Sequence, residues 1–206
     1  MAKNKPRKKT KTKAKTKAKT PSKSRVVKTK RRAAKPAAAK RKAAAAKPMT
    51  SVAPAASAKE LPDLEVQTTG GGRLRLSSLK GKNVVLYFYP KDDTPGCTTE
   101  GCDIRDHYPE FQQLDAVILG VSRDNLDSHE RFKMKFNFPF ELVSDPEEKL
   151  CRAFDVIKEK QNYGRTYMGV DRSTFIFDKS GALRKEFRGV SVPGHVDQIL
   201  EEIRKL

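Results

Sequence analysis

The chain has 206 residues, 44 Lys and Arg against 25 Asp and Glu, a formal charge of +19, three cysteines and no tryptophan. Its longest apolar runs, Val84–Tyr89 and Ala116–Val121, are far short of the ~20 residues a membrane helix needs, and no apolar stretch follows the basic start as a secretory signal requires. Three cysteines are too few for a disulfide scaffold, so neither a membrane span nor export is expected, and a reducing compartment is.

The charge is unevenly divided. Residues 1–59 hold 22 Lys and Arg, five prolines, no acidic residue and no aromatic; residues 60–206 hold the other 22, all 25 acidic residues and every Phe and Tyr. A segment so charged and so poor in large apolar side chains cannot bury enough surface to offset the entropy of ordering it. Residues 1–59 are therefore expected to be a disordered polycationic tail, and residues 60–206 a single folded domain. Within the tail, KTKAKTKAKT precedes TKRRAAKPAAAKRKAAAAKP. Lys and Arg among small residues can neutralise phosphates without touching base edges, so non-specific nucleic-acid binding through residues 1–59 is expected. The composition is similar to linker-histone tails and to the Lys/Ala/Pro extensions of some bacterial nucleoid proteins. A solvated tail without a partner and an organelle transit peptide are the alternatives. Lys28–Arg32 also reads as a nuclear localisation cluster. The expected location is cytoplasmic, with nucleoid association, or nuclear in a eukaryote.

From Glu60 onward strand and helix signals alternate. Asn83–Tyr89 is a β-branched and aromatic run suited to a buried strand, followed by the turn-rich PKDDTPG and a helical stretch. Ala116–Val121 reads as a second buried strand. Leu126, His129, Phe132 and Phe136 fall on one helical stripe, Phe140–Val143 reads as a short strand, and Pro146–Phe154 as a helix with Pro in its first turn. Ser173–Asp178, the turn DKSG and Ala182–Arg188 make a hairpin. Val196, Ile199, Leu200, Ile203 and Leu206 give an amphipathic terminal helix. This order predicts an α/β sandwich with a central mixed sheet.

The chemical signal lies at residues 90–102, PKDDTPGCTTEGC. The strand ends at Pro90 and Cys97 opens a helix, where unpaired backbone N–H groups and the positive end of the helix dipole favour a thiolate. Cys97 is thus the expected nucleophile. Thr94, in the tight turn before it, can place a hydroxyl beside the sulfur. Pro90 and Pro95 stiffen the loop and remove N–H groups that would demand water. The Cys97/Cys102 spacing is also part of an iron–sulfur pattern, but that pattern needs a further Cys at position 105, where Arg stands. Cys151, in KLCRAF, reads as a buried structural thiol. His107, His129 and His195 have no partner at metal-ligand spacing, and His129 reads as a packed or edge histidine on its stripe.

Pro90-x-x-x-Thr94-x-x-Cys97 is similar to the active-site signature of the peroxiredoxins, and Cys102 resembles that of the peroxiredoxin Q subgroup, also called bacterioferritin comigratory protein. The likeness continues through LVSDPEEKLCRAFDV, YMGVDRSTFIFDKSG and VPGHVDQIL and so covers residues 60–206. The resemblance implies a thioredoxin-like fold and a thiol peroxidase acting on hydrogen peroxide and organic hydroperoxides. In it, Cys97 is the peroxidatic cysteine, Cys102 the resolving cysteine, Thr94 a peroxide-orienting hydroxyl and Arg172 the activating guanidinium. Thioredoxin or a similar dithiol would be the reductant, no metal, haem or flavin would be needed, and the chain would be a monomer or weak dimer. Glu100 suits the helix dipole, with a role in positioning Arg172 left open. A DNA-associated redox sensor and a disulfide reductase on the same fold are the rival readings. The basic tail, and Pro109 interrupting the active-site helix, depart from the family pattern. Cys97, Gly101, Ile104, Tyr108 and Phe111 share one helical face, with Cys102 about 140° away, so closing a Cys97–Cys102 bond is expected to unwind the helix.

Overall fold

The computed structural model describes residues 59–162 and 164–206. The tail expected to be disordered and to bind nucleic acid lies outside them, apart from Lys59. The chain runs β1 (Glu65–Thr68), β2 (Gly72–Arg75), β3 (Asn83–Phe88), α1 (Pro95–Asp106), α2 (Tyr108–Gln113), β4 (Ala116–Ser122), α3 (Leu126–Phe136), β5 (Glu141–Ser144), α4 (Lys149–Ala153), β6 (Ile157–Asn162), β7 (Arg165–Val170), β8 (Ser173–Phe177), β9 (Leu183–Arg188) and α5 (His195–Ile203). Among the described residues, seven strands form a mixed sheet in the order β2-β1-β5-β4-β3-β8-β9, and β6 and β7 form a separate antiparallel ribbon.

Strand β3 is buried along its whole length because both faces of the sheet are covered. It runs parallel to β4 and antiparallel to β8, with Phe88 opposite Ser173. Side chains alternate across a strand, so Val85 and Tyr87 join one core cluster with Ile104, Phe111, Phe132, Ile199 and Leu200 from the helices. Val84, Leu86 and Phe88 join the other with Leu150, Phe154, Phe175 and Phe177. Each such side chain, fully withdrawn from water, contributes about 1.5–3 kcal/mol. The parallel β3–β4 pair needs a crossover, which α1 and α2 supply; they therefore start at the end of the most buried strand.

Helix α1 ends at Asp106 and α2 starts at Tyr108, with Pro109 in its first turn. Proline lacks the N–H that would continue the ladder, so the expected interruption falls here. Helix α3 is capped by Asn125, whose side chain accepts from the Ser128 N–H at 2.9 Å, and ends at Asn137 in the left-handed conformation.

Two expectations need correction, and four strands were not foreseen. The helix expected from Pro146 begins only at Lys149, because Glu148 takes a left-handed φ of 57° and the Asp145 carboxylate accepts the Cys151 N–H. Leu206 lies beyond α5 and is exposed, although the other apolar positions of its stripe are buried. Strands β1, β2, β6 and β7 were not expected from the sequence; β1 and β2 have only four residues each, and β2 and β7 are largely exposed.

Candidate active site

Phe88 closes β3, and residues 89–94 carry the chain from the C-terminal end of that interior strand to Pro95, which sits in the first turn of α1. Pre-set φ and an unneeded N–H suit proline to that place. Thr94 is the N-cap residue, and its carbonyl accepts the Thr98 N–H at 2.8 Å. Its hydroxyl makes no cap bond; it donates back to the Lys91 carbonyl at 3.0 Å. No side chain of the cap therefore answers the first-turn N–H groups, and the helix dipole faces the reaction side. Cys97 lies in this turn with 3% of its surface exposed. Pro90 and Thr94 are half-buried in the loop before it.

Arg172 immediately precedes β8. The antiparallel register that sets Ser173 against Phe88 delivers the Arg172 side chain to the same end of the sheet as the start of α1. Its Nη2 donates to Cys97 Sγ at 3.3 Å, and its Nη1 forms a short ion pair with Glu100 Oε2. Glu100 stands three residues after Cys97, one turn along the same side of α1. Gly96 lies beside this guanidinium, where an added Cβ would sit in ordinary contact 3.4 Å from Nη2.

Glu100 is 1% exposed, and its Oε1 has no hydrogen-bond partner among the described residues. Burial pushes its carboxyl up to about 7, against the opposing pull of the Arg172 charge and hydrogen bond. Burial works against the charge on Arg172 too, but Glu100 and the Cys97 sulfur outweigh it and keep the guanidinium firmly cationic. The Tyr87 phenol behind this group is held well above its ordinary value by burial first, then by the Glu100 and Cys97 charges. Two of the expected residues, Cys97 and Arg172, are thus in direct contact, and Glu100 completes the cluster. From the sequence, Glu100 suits the helix dipole and its relation to Arg172 stays open; the structure places the two side chains in contact. The signal available is its i, i+3 spacing from Cys97, whereas its burial is not visible in the sequence.

Cys102 is not brought to Cys97. All three cysteines are free; Cys102 is half-buried on α1, five residues on, where an intact helix holds two Cα atoms roughly 8–9 Å apart. Cys151 is fully buried on α4, and burial, followed by the nearby Asp145, drives its thiol far above the usual range. His195, also buried, hydrogen-bonds the Thr174 hydroxyl at 2.8 Å, and burial lowers its imidazole to about 4. It is neutral near pH 7. Among the described residues no group of three or more His, Cys, Asp or Glu side chains is placed to hold a metal ion. None of the helices described is long and apolar enough to cross a membrane.

His129, expected to be a packed or edge histidine, is fully buried and also makes polar contacts. His129, on α3, reaches the loop that precedes Cys97: its Nδ1 lies 2.9 Å from Asp92 Oδ2, and Asp92 Oδ1 accepts from the Tyr89 hydroxyl at 2.8 Å. The Asp92 N–H donates to Asp124 Oδ2 at 2.8 Å, and Lys135 at the end of α3 pairs with Asp93 at 2.7 Å.

Residues 58–186 match the AhpC/TSA family. The peroxiredoxin Bcp of Bacillus subtilis is 54% identical over 145 residues, which span 70% of this chain and 92% of that protein. A solved structure of Xanthomonas campestris peroxiredoxin Q superposes with a TM-score of 0.68 at 48% identity, covering 72% of this chain and 97% of the other. A second structure, of the bacterioferritin comigratory protein of the same organism and described for its alkyl peroxide reduction activity, matches with a TM-score of 0.68 at 47% identity over 73% and 98%.

Proposed function

The chain belongs to the AhpC/TSA family, among its Bcp and Q peroxiredoxins with a thioredoxin-like fold, and from that premise we propose how its residues divide the work of a thiol peroxidase. The observation that carries the proposal is the Arg172 guanidinium donating to Cys97 Sγ at the uncapped start of α1. Two sources of positive potential, a fixed cation and a helix N-terminus, converge on one sulfur and favour its thiolate.

The thiolate attacks the terminal oxygen of a hydroperoxide. The S–O bond forms as the O–O bond breaks, Cys97 becomes a sulfenic acid, and the departing alkoxide or hydroxide takes up a proton to leave as alcohol or water. Arg172, a permanent cation with a rigid donor fork, holds the charge that shifts onto oxygen. Thr94, released from the Lys91 carbonyl, orients the peroxide, and Pro90 with Pro95 stiffens the loop. The Cys102 thiol then displaces water from the sulfenic acid, forming a Cys97–Cys102 disulfide. A dithiol such as thioredoxin reopens it by exchange and is itself oxidised. Organic hydroperoxides fall within the substrate range, as the activity of the Xanthomonas campestris relative supports.

Adding one equivalent of cumene hydroperoxide to the reduced chain tests this. Intact mass should fall by two hydrogens, peptide mapping should join Cys97 to Cys102, and thioredoxin with its reductase should restore the mass. An oxidised product joined through Cys151, or one that thioredoxin leaves intact, contradicts the assignment.

The composition of residues 1–59 supports a second activity, non-specific duplex DNA binding by the tail. Each phosphate neutralised should steepen log K against log salt by about 0.9. Full-length chain is expected to bind DNA at low salt and release it as salt rises. A chain starting at Lys59 should not bind while keeping its peroxidase rate; equal binding by the two removes the assignment.

A further inference from the structure

The loop that carries Thr94 and delivers Cys97 is bolted to α3 through a buried carboxylate–histidine pair that the chemistry above does not use. Asp92 is 6% exposed and His129 is not exposed at all. The two ring nitrogens of His129 both face acceptors, Nδ1 the Asp92 carboxylate at 2.9 Å and Nε2 the Val143 carbonyl at 3.2 Å. The Tyr89 hydroxyl donates to the same carboxylate, and the Asp92 backbone N–H is held by Asp124, whose Oδ2 also accepts from the Ser122 hydroxyl. Burial alone would raise the Asp92 carboxyl, but the hydrogen bond and charge of His129 outweigh it and keep it below its ordinary value.

A buried polar or charged pair is a poor way to gain stability, because apolar residues of similar volume do as well or better. What it supplies is fixed geometry, and this pair sits where geometry matters: Asp92 is two residues before Thr94 and five before Cys97. The next residue, Asp93, takes a left-handed φ of 54°, a turn conformation that aspartate tolerates better than most residues.

We propose that Asp92 and His129 act as a positioning pair for peroxide reduction, holding the Pro90–Thr94 loop so that the Thr94 hydroxyl and the Cys97 sulfur meet the peroxide in register with Arg172. The inference rests on Cys97 being the peroxide-reacting thiol. That premise is checked first in the wild-type chain: if alkylated Cys97 leaves peroxide consumption intact, the premise fails before any variant is made.

The test compares two reactions of the same sulfur, the second-order rates with hydrogen peroxide and with iodoacetamide. Both need the thiolate, but only the first needs Thr94 and Arg172 placed around a peroxide. In Asp92→Asn the ratio of peroxide to iodoacetamide rate should fall about tenfold or more, the scale of a small misplacement of reacting groups. His129→Leu should do the same, and the double variant should lose little more than either single one, since the two residues act as a unit. An unchanged ratio in folded Asp92→Asn, or losses that multiply in full in the double variant, overturns the proposal. Should Asp92→Asn not fold, Tyr89→Phe removes one donor to the same carboxylate without changing the ring. A ratio lowered about threefold or more upholds the pair, and a wild-type ratio overturns it.

Discussion

One guanidinium serves two acidic groups: Arg172 donates to Cys97 Sγ through Nη2 at 3.3 Å while its Nη1 holds Glu100. Sulfur and carboxylate lie one turn apart on α1, so the same side chain reads the start of the helix and ties it to β8. The arrangement makes Cys97 and Glu100 share one cation. A deprotonated carboxylate anchors Arg172 but draws on its field, whereas a protonated one leaves more of that field to the sulfur.

Replacing the fork by a point charge should expose what its geometry contributes. Lysine keeps the cation but cannot donate to Cys97 and Glu100 through two fixed N–H arms. Arg172→Lys is therefore expected to slow peroxide reduction by about 10²–10³, the cost of losing one preorganised donor to a developing oxyanion. Stopped-flow rates with hydrogen peroxide measure this directly. A loss under about threefold would show that charge alone suffices.

Glu100 gives a pH dependence with a definite sign. Its carboxyl is raised from 4.5 to about 7 in the folded protein, so the folded state holds a proton that the unfolded state releases. Stability relative to acidic solution is then lost as pH rises from about 4.5 through about 7. Glu100→Gln cannot lose that proton. Measured by urea denaturation between pH 5 and 8, the variant should gain on the wild type as pH rises, by on the order of 1–3 kcal/mol. A wild-type-to-variant difference that is constant with pH contradicts the assignment.

Part of this arrangement is legible in the sequence. The buried strand Asn83–Phe88, the hairpin of β8 and β9 and the apolar stripes of α3 and α5 follow from residue periodicity, because each buries one recurring set of side chains. Cys97 is legible because a cysteine after Thr-Pro-Gly at a helix start is a local feature. Arg172 is not reachable from spacing; it lies 75 residues away and arrives through the β3–β8 register, so only the family resemblance could select it. Glu100, Asp92 and His129 escape for the same kind of reason: their roles come from burial and from partners on other elements, which no sequence window contains. The ribbon of β6 and β7 escapes for the opposite reason: Tyr167 and Met168 on β7 stay exposed, so no buried face imposes a regular pattern on it.

Helix α1 should open when the disulfide forms. A disulfide needs Cα atoms within about 7 Å and converging side chains, which Cys97 and Cys102 on an intact helix do not offer. Thr98, Thr99 and Gly101 are weak helix formers, so local melting costs little. Gly101 resists it in another way: a Cβ there would come 2.5 Å from Phe138 Cζ, so the glycine lets that ring pack closely on the helix. Amide exchange across residues 97–104 is expected to be faster in the disulfide form than in the dithiol form. Equal protection in both, with the bond confirmed by mass, would mean the geometry is already bent.

The division of labour between the two sulfurs is tested most directly by counting peroxide consumed without reductant and trapping the product with dimedone. Cys102→Ser should consume one equivalent and stop, with the adduct on Cys97, and Cys97→Ser should consume none. Peroxide consumption by Cys97→Ser at the wild-type rate would contradict the account at its centre.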